Sequence, residues 1–264
     1  MAVTGSAGGG VRRGRVGVVR GVEGVEQRRV RWRPSVRVVP SRFPPVNLYA
    51  RVADAADLAA VNAVESLTND RLREASGAAR RVAESDRVRG PGSSYVMAPF
   101  AHVAPEGGRF TDGTAGAWYA ARVLETAIRE TVHHRERFLR ATQQGPIDVE
   151  MRVLEADVDG TLHDVRGRAQ VWPELYDPDS HMASQAFARS LRAAGSNGIV
   201  YDSVRHAGGQ CVAVFRPRLL RRARQAEHLL YRWNGEQIAE VLRLTHQRSG
   251  GRIHPTGGSR REST

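Results

Sequence analysis

Residues 108–131, GRFTDGTAGAWYAARVLETAIRET, constrain what this chain can fold into more than any other stretch. Four glycines, Gly107, Gly108, Gly113 and Gly116, form a polar loop whose backbone is free to approach a ligand closely. The loop runs directly into WYAARV, which reads as a strand, and then into a helix. From Leu124, positions 124, 127, 128, 131/132, 135 and 138/139 share one largely apolar helical face. At about 100° per residue, Glu130 lies about 120° from Leu124, at the flank of that face. Its side chain is therefore expected at the edge of a core. The stretch thus gathers Arg109, Trp118, Tyr119 and Glu130 within 22 residues. An arginine in such a loop can grip phosphate or carboxylate with two parallel hydrogen bonds.

The elements around this stretch are mixed. Residues 36–39 read as a short strand stopped by Pro40, and SRFPPVNLY as a connection held extended by Pro44 and Pro45. Residues 57–69 carry Leu58, Val61, Val64 and Leu67 at helical spacing, with Asp54 or Asp57 as cap. Residues 90–100, GPGSSYVMAPF, read as a turn entering an apolar strand. The alternation of Ile147, Val149, Met151 and Val153 predicts a strand over 147–158. Ser180 or Asp179 is expected to cap the helix HMASQAFARSLRAA, closed by Gly195 at the C′ position. GIVYDSV and CVAVF read as two strands joined by RHAGGQ, a hairpin-like pair. About six strands and three or four helices without regular βαβ alternation predict an α+β fold.

Charge is segregated along the chain. The formal net charge is +12. Residues 1–35 hold eight arginines and two glutamates, and residues 216–264 hold eleven arginines and four acids. The stretch between them, with 21 arginines and 22 acids, is nearly neutral. A nucleic-acid-binding core would concentrate basic charge, so any such binding is expected only through the basic tails. Residues 1–35 read as a disordered Arg/Gly-rich tail, and residues 247–264 as a second polar tail. Cys211 is the only cysteine, which excludes an internal disulfide and any multi-cysteine zinc site; the alternation CVAVF makes it a buried strand residue. There is no apolar run of membrane-spanning length and no secretory h-region, so the expected location is the cytoplasm. GxGxxG after a strand, GxxxxGK[ST], HExxH and GxSxG are all missing. His133 and His134, adjacent on a helix, point about 100° apart and cannot both hold one ion from it, so they read as surface histidines.

Four motifs in order carry a family resemblance: Arg37 in VRVVPSRFPP, Arg109 in GRFTDG, Tyr119 and Glu130 in WYAARVLETAIRET, and Ser203 in GIVYDSVRHAGGQCVAVF. Over roughly residues 36–220 the chain resembles the RES domain, a family named for its Arg, Glu and Ser. The domain is expected to span 36–246, with an insertion-like region at 41–105. The resemblance implies an ADP-ribosyltransferase-like split β-sandwich with helices around a NAD cleft. It implies consumption of NAD+ by phosphorolysis or hydrolysis, with inorganic phosphate as co-substrate in the first case. The family also implies a toxin of a toxin–antitoxin pair, an Xre-like antitoxin partner with a helix-turn-helix region, and a homodimer. No permanently bound cofactor and no metal are implied.

The resemblance implies a role for each site residue. Glu130 would stabilise the positive charge that develops on ribose as the nicotinamide bond breaks. Arg37 and Arg109 would hold the diphosphate. Tyr119 would stack on nicotinamide or close the pocket, and Ser203 would hydrogen-bond ribose or carboxamide. Arg205 and His206 would contact phosphate, and Ser93, Ser94 and Tyr95 would form another wall. Taken one at a time these residues have plainer readings: Glu130 a solvated helix charge, Tyr119 core, Ser203 an ordinary strand serine, the arginines surface charge. Two alternative functions stand beside NAD+ cleavage, a protein mono-ADP-ribosyltransferase and a non-enzymatic, basic-tailed nucleic-acid-binding protein.

Overall fold

The computed structural model describes residues 24–41 and 82–244. Strands β1 (Gln27–Pro40), β2 (Trp118–Ala121), β3 (Ile147–Asp164), β4 (Gly198–Asp202), β5 (Gln210–Val214), β6 (Leu220–Trp233) and β7 (Ile238–Leu244) form one mixed sheet. Three α-helices are described: α1 (Ser93–Ala101), α2 (Leu124–Ala141) and α3 (Met182–Ala193). The α+β class expected from the irregular element order is the one observed. The strand order is β1-β2-β5-β4-β3-β6-β7, and β1 also pairs with β3. Since β1 meets β2 at Val36↔Ala121 and β3 from Gln27↔His163 to Pro40↔Met151, the sheet returns on itself. The β3–β4 pairing is parallel and the others are antiparallel.

Two cores result, because successive strand residues point to opposite faces. On β5, Cys211 and Ala213 enter one cluster with Val36, Val38, Met151 and Tyr201. Val212 and Val214 enter the other with Trp32, Trp118, Leu154 and Val200. Helix α2 covers the first cluster through Ala127, with Leu124, Ile128 and Val132 packed against it. That packing follows the helical face read from the sequence, and it leaves Glu130 partly buried at the edge.

Several expectations are corrected. Strand β1 begins at Gln27, so residues 27–35, expected in a disordered tail, are sheet. Val30 and Trp32 are buried between exposed Arg29, Arg31 and Arg33, a period-2 pattern masked by the density of arginine. Pro34, with no N–H for the ladder, falls where the register shifts between Trp32 and Ser35. The expected strand at 90–100 is helix α1: Val96 and Phe100, four residues apart, bury together in the second core. Burying two such side chains contributes about 3–6 kcal/mol, enough to override a helix-interior proline, Pro99. Helix α3 is capped at His181 rather than at Ser180 or Asp179, while Gly195, with φ of 79°, sits where expected. Strands β6 and β7 continue the sheet where no element was assigned. The helix expected at 57–69 and the tails at 1–23 and 247–264 lie outside the described residues.

Candidate active site

Register places the first side chains of the site. Tyr119 of β2 lies opposite Ala213 of β5, and Cys211 of β5 opposite Tyr201 of β4. These residues share the sheet face that helix α2 covers. Between sheet, helix and glycine loop lies a cavity of about 370 Å³. Its wall includes Arg37 from β1, Arg109 from the loop, Tyr119, Glu130 and Arg205. Of Arg37, Arg109, Tyr119, Glu130, Ser203 and Arg205, five therefore meet in one cavity. The sixth, Ser203, stands directly behind Glu130.

The Ser203 hydroxyl donates to Glu130 Oε1 at 2.6 Å. Ser203 Oγ itself accepts from the backbone N–H groups of Arg205, at 3.2 Å, and His206, at 3.0 Å. A hydroxyl carries one proton, so two incoming donors leave that proton for the carboxylate. The loop bearing Ser203 is pinned twice more. Ser203 N donates to Gly209 O at 2.8 Å, and His206 Nδ1 lies 2.9 Å from the hydroxyl of Thr126, a fully buried residue in the first turn of α2.

The cationic wall is held differently. Arg109 Nη1 donates to the carbonyls of Leu175 and Asp177, both at 2.9 Å. Arg205 Nη2 donates to the Pro178 carbonyl. Arg37 Nη1 donates to the Tyr119 carbonyl at 3.0 Å, and its guanidinium lies 5.4 Å from the Trp118 ring centre. Burial lowers the Arg37 pKa to about 10, so the group remains cationic at neutral pH in a poorly solvated position. An anion would relieve that cost. Arg135, His102, His134 and His181 complete the charged and titratable lining. Among the described lining residues Glu130 is the only carboxylate, against four arginines. Burial and then Arg109 lower the His181 pKa to about 4, so that ring is neutral at pH 7.

Tyr119 lines the cavity and has a second, structural contact as well. Its hydroxyl accepts from Phe110 N at 2.8 Å and lies 3.1 Å from Thr111 Oγ1, so it anchors the loop that carries Arg109. Burial raises its pKa and keeps it protonated. The glycines serve backbone packing as well as the cavity. A Cβ at Gly116 would stand 2.0 Å from the Pro99 carbonyl, and one at Gly108 would stand 3.1 Å from the Tyr119 hydroxyl. Gln185 of α3 closes the loop by donating to the carbonyls of Glu106 and Gly108.

Ser93, Ser94 and Tyr95 do not line the cavity; Tyr95 packs against the second core. Cys211 borders the cavity but is buried, and burial pushes its thiol well up, away from the reactive thiolate. Among the described residues no group of three His, Cys, Asp or Glu could hold a metal ion. Two groups escaped sequence reading. His134, read from the sequence as a surface histidine, follows Glu130 by four positions, a spacing that could have placed it beside that carboxylate, while Arg135, five positions on, carried no such signal. His181 comes from a segment 51 residues beyond Glu130, with no local signal.

Residues 84–234 match the RES domain. The chain belongs to the RES domain family. Residues 84–105, read at first as part of an insertion, fall inside the matched region of this RES domain protein. It is 31% identical over 220 residues to an uncharacterized protein, y4oC, of Sinorhizobium fredii (strain NBRC 101917 / NGR234), covering 83% of this chain and 90% of that one. Among solved structures it is similar to a chain of the M. tuberculosis MbcT–MbcA toxin–antitoxin complex, with 19% identity and a TM-score of 0.35. That likeness covers 46% of this chain and 73% of the other. Among the described residues no helix is long and apolar enough to cross a membrane.

Proposed function

We propose that this RES domain protein consumes NAD+ by cleaving the bond between nicotinamide and ribose. One observation carries the reading: Glu130, oriented by Ser203 at 2.6 Å, is the only carboxylate among the described lining residues, facing four arginines. A dinucleotide asks for that distribution. Its diphosphate needs cationic forks, and Arg109, Arg205 and Arg37 supply them. The reacting carbon gains positive charge as its bond to nicotinamide breaks, and a fixed carboxylate nearby stabilises that charge.

In this mechanism the electron pair of the carbon–nitrogen bond passes to the nicotinamide ring, which leaves as the neutral amide. Glu130 stabilises the resulting oxocarbenium ion. An oxygen of water or of inorganic phosphate then forms the new bond at the same carbon. Water gives ADP-ribose and a proton; phosphate gives the ADP-ribose phosphate ester. Four arginines are more than a diphosphate requires, which supports phosphate as the acceptor. Tyr119 keeps the loop of Arg109 in place and borders the nicotinamide end. The proposed setting is the one the family resemblance implies, a toxin held in check by an antitoxin partner with a helix-turn-helix region.

Incubation of the purified protein with NAD+, with and without phosphate, tests the reading. Loss of NAD+ with release of nicotinamide is expected, and a phosphate-dependent rate identifies phosphorolysis. Unchanged NAD+ with folded protein in both arms would sink the proposal. Adenine-labelled NAD+ separates out the transferase alternative, which requires label on a macromolecule.

A further inference from the structure

The segment joining the short 3-10 turn Pro173–Leu175 to helix α3 lines the cavity through His181 and holds two of its arginines through backbone carbonyls. Leu175 is buried and anchors one end. Tyr176 donates its hydroxyl to the Val165 carbonyl. The carbonyls of Leu175 and Asp177 receive Arg109, and that of Pro178 receives Arg205. At the far end His181 enters the cavity wall. Three carbonyls and one imidazole thus arrive from seven consecutive residues.

The backbone here is bound by a side chain outside the cavity wall. Asp177 Oδ1 accepts from the backbone N–H groups of Asp179, at 2.8 Å, and Ser180, at 2.9 Å. This Asx-type turn fixes residues 177–180 in one conformation. Without it the two N–H groups turn to water, and the carbonyls of Asp177 and Pro178 lose their fixed direction.

We propose that Asp177 is a positioning residue for the cationic wall: by closing this turn it aims the carbonyls that orient Arg109 and Arg205, and it sets His181 in the cavity. The assignment rests on reading the cavity as an anion site, but not on which reaction follows. A guanidinium anchored at one nitrogen by fixed acceptors presents its remaining N–H groups in a fixed direction, which is what bidentate anion binding needs. Besides burial, Arg109, His134, Arg137 and Arg205 hold the His181 ring neutral, and the Asp177 carboxylate also interacts with it, so the ring reports on where these charges stand.

The test compares wild type with D177N and D177A. NMR titration of His181 and calorimetric binding of inorganic pyrophosphate are read on each. Asparagine keeps the Oδ1 acceptor and removes only a charge, so D177N is expected to keep wild-type pyrophosphate affinity and to move the His181 pKa, if at all, downward, opposite to D177A. In D177A the His181 pKa is expected to rise by about one unit as the strap opens to water. Pyrophosphate affinity is expected to fall about tenfold, the loss of one well-oriented charged hydrogen bond. A folded D177A with the wild-type His181 titration overturns the proposal, whether or not NAD+ is cleaved. D177N behaving like D177A also overturns it, because the carboxylate charge rather than the turn would then matter. If D177A does not fold, S180P removes one of the two N–H donors and is read by the same titration. A displaced His181 with intact NAD+ turnover separates the two ideas from one side. An inert wild type with the expected His181 shift separates them from the other.

Discussion

The two walls of the cavity are built in opposite ways. Glu130 is held by a side chain, Ser203, whose proton has one place to go. Arg109 and Arg205 are held by main-chain carbonyls of residues 175–178. The first wall joins a helix to the hairpin loop through named side chains, including the Thr126–His206 contact. The second depends on the path of a strap. Side-chain substitution should therefore disable the carboxylate wall with little change elsewhere, while the cationic wall should answer to backbone conformation.

The largest effect is expected at Glu130. Replacement by glutamine keeps the shape and removes the charge, and NAD+ turnover should fall about 10²–10³-fold. Thermal unfolding should hardly move, since the residue is only partly buried. Unaltered turnover in E130Q would break the comparison at its root. Next comes Arg109→Lys. Lysine has no planar fork to share between strap carbonyls and an anion, so kcat/KM should drop about 10–100-fold, as for loss of a charged hydrogen bond. A KM effect alone would assign Arg109 to ground-state binding.

Ser203→Ala is expected to cost about tenfold in kcat, because Glu130 stays but loses its orientation. A loss as large as that of E130Q would make Ser203 a direct participant instead of a positioning residue. The smallest effect concerns pH. His181 has a folded pKa lowered to about 4 from 6.5, so between those values the unfolded chain binds more protons. Its contribution to stability is therefore full above about pH 6.5 and is lost as pH falls toward 4. Denaturant unfolding across that window should show a smaller pH slope in H181Q than in wild type. An equal slope would mean that the ring is not kept neutral by burial and the neighbouring arginines.

Some of this was legible locally and some was not. The strand-to-helix junction at 118–124 and the hairpin 198–214 were readable because their periodicity sits within a few residues. Helix α1 was not, since four apolar residues in a short run fit strand and helix alike until the packing of Val96 and Phe100 decides. The start of β1 was hidden because arginine at alternate positions looks like a solvated tail when nothing says that Val30 and Trp32 have a core to enter.

Sequence by itself determined which residue types could make an anion site with one carboxylate, and it singled out Arg37, Arg109, Tyr119, Glu130, Ser203 and Arg205 through motifs in order. Only the tertiary structure decided how they are used. Tyr119 anchors a loop, Ser203 stands behind Glu130, and the strap with His181 and its carbonyls joins the wall. The physical reason is the range of the interactions. Periodicity and capping act over a few residues and leave a trace in the order of amino acids. The Ser203–Glu130 bond spans 73 positions and the Arg109–Asp177 bond spans 68, and such contacts exist only once the sheet has brought its strands together.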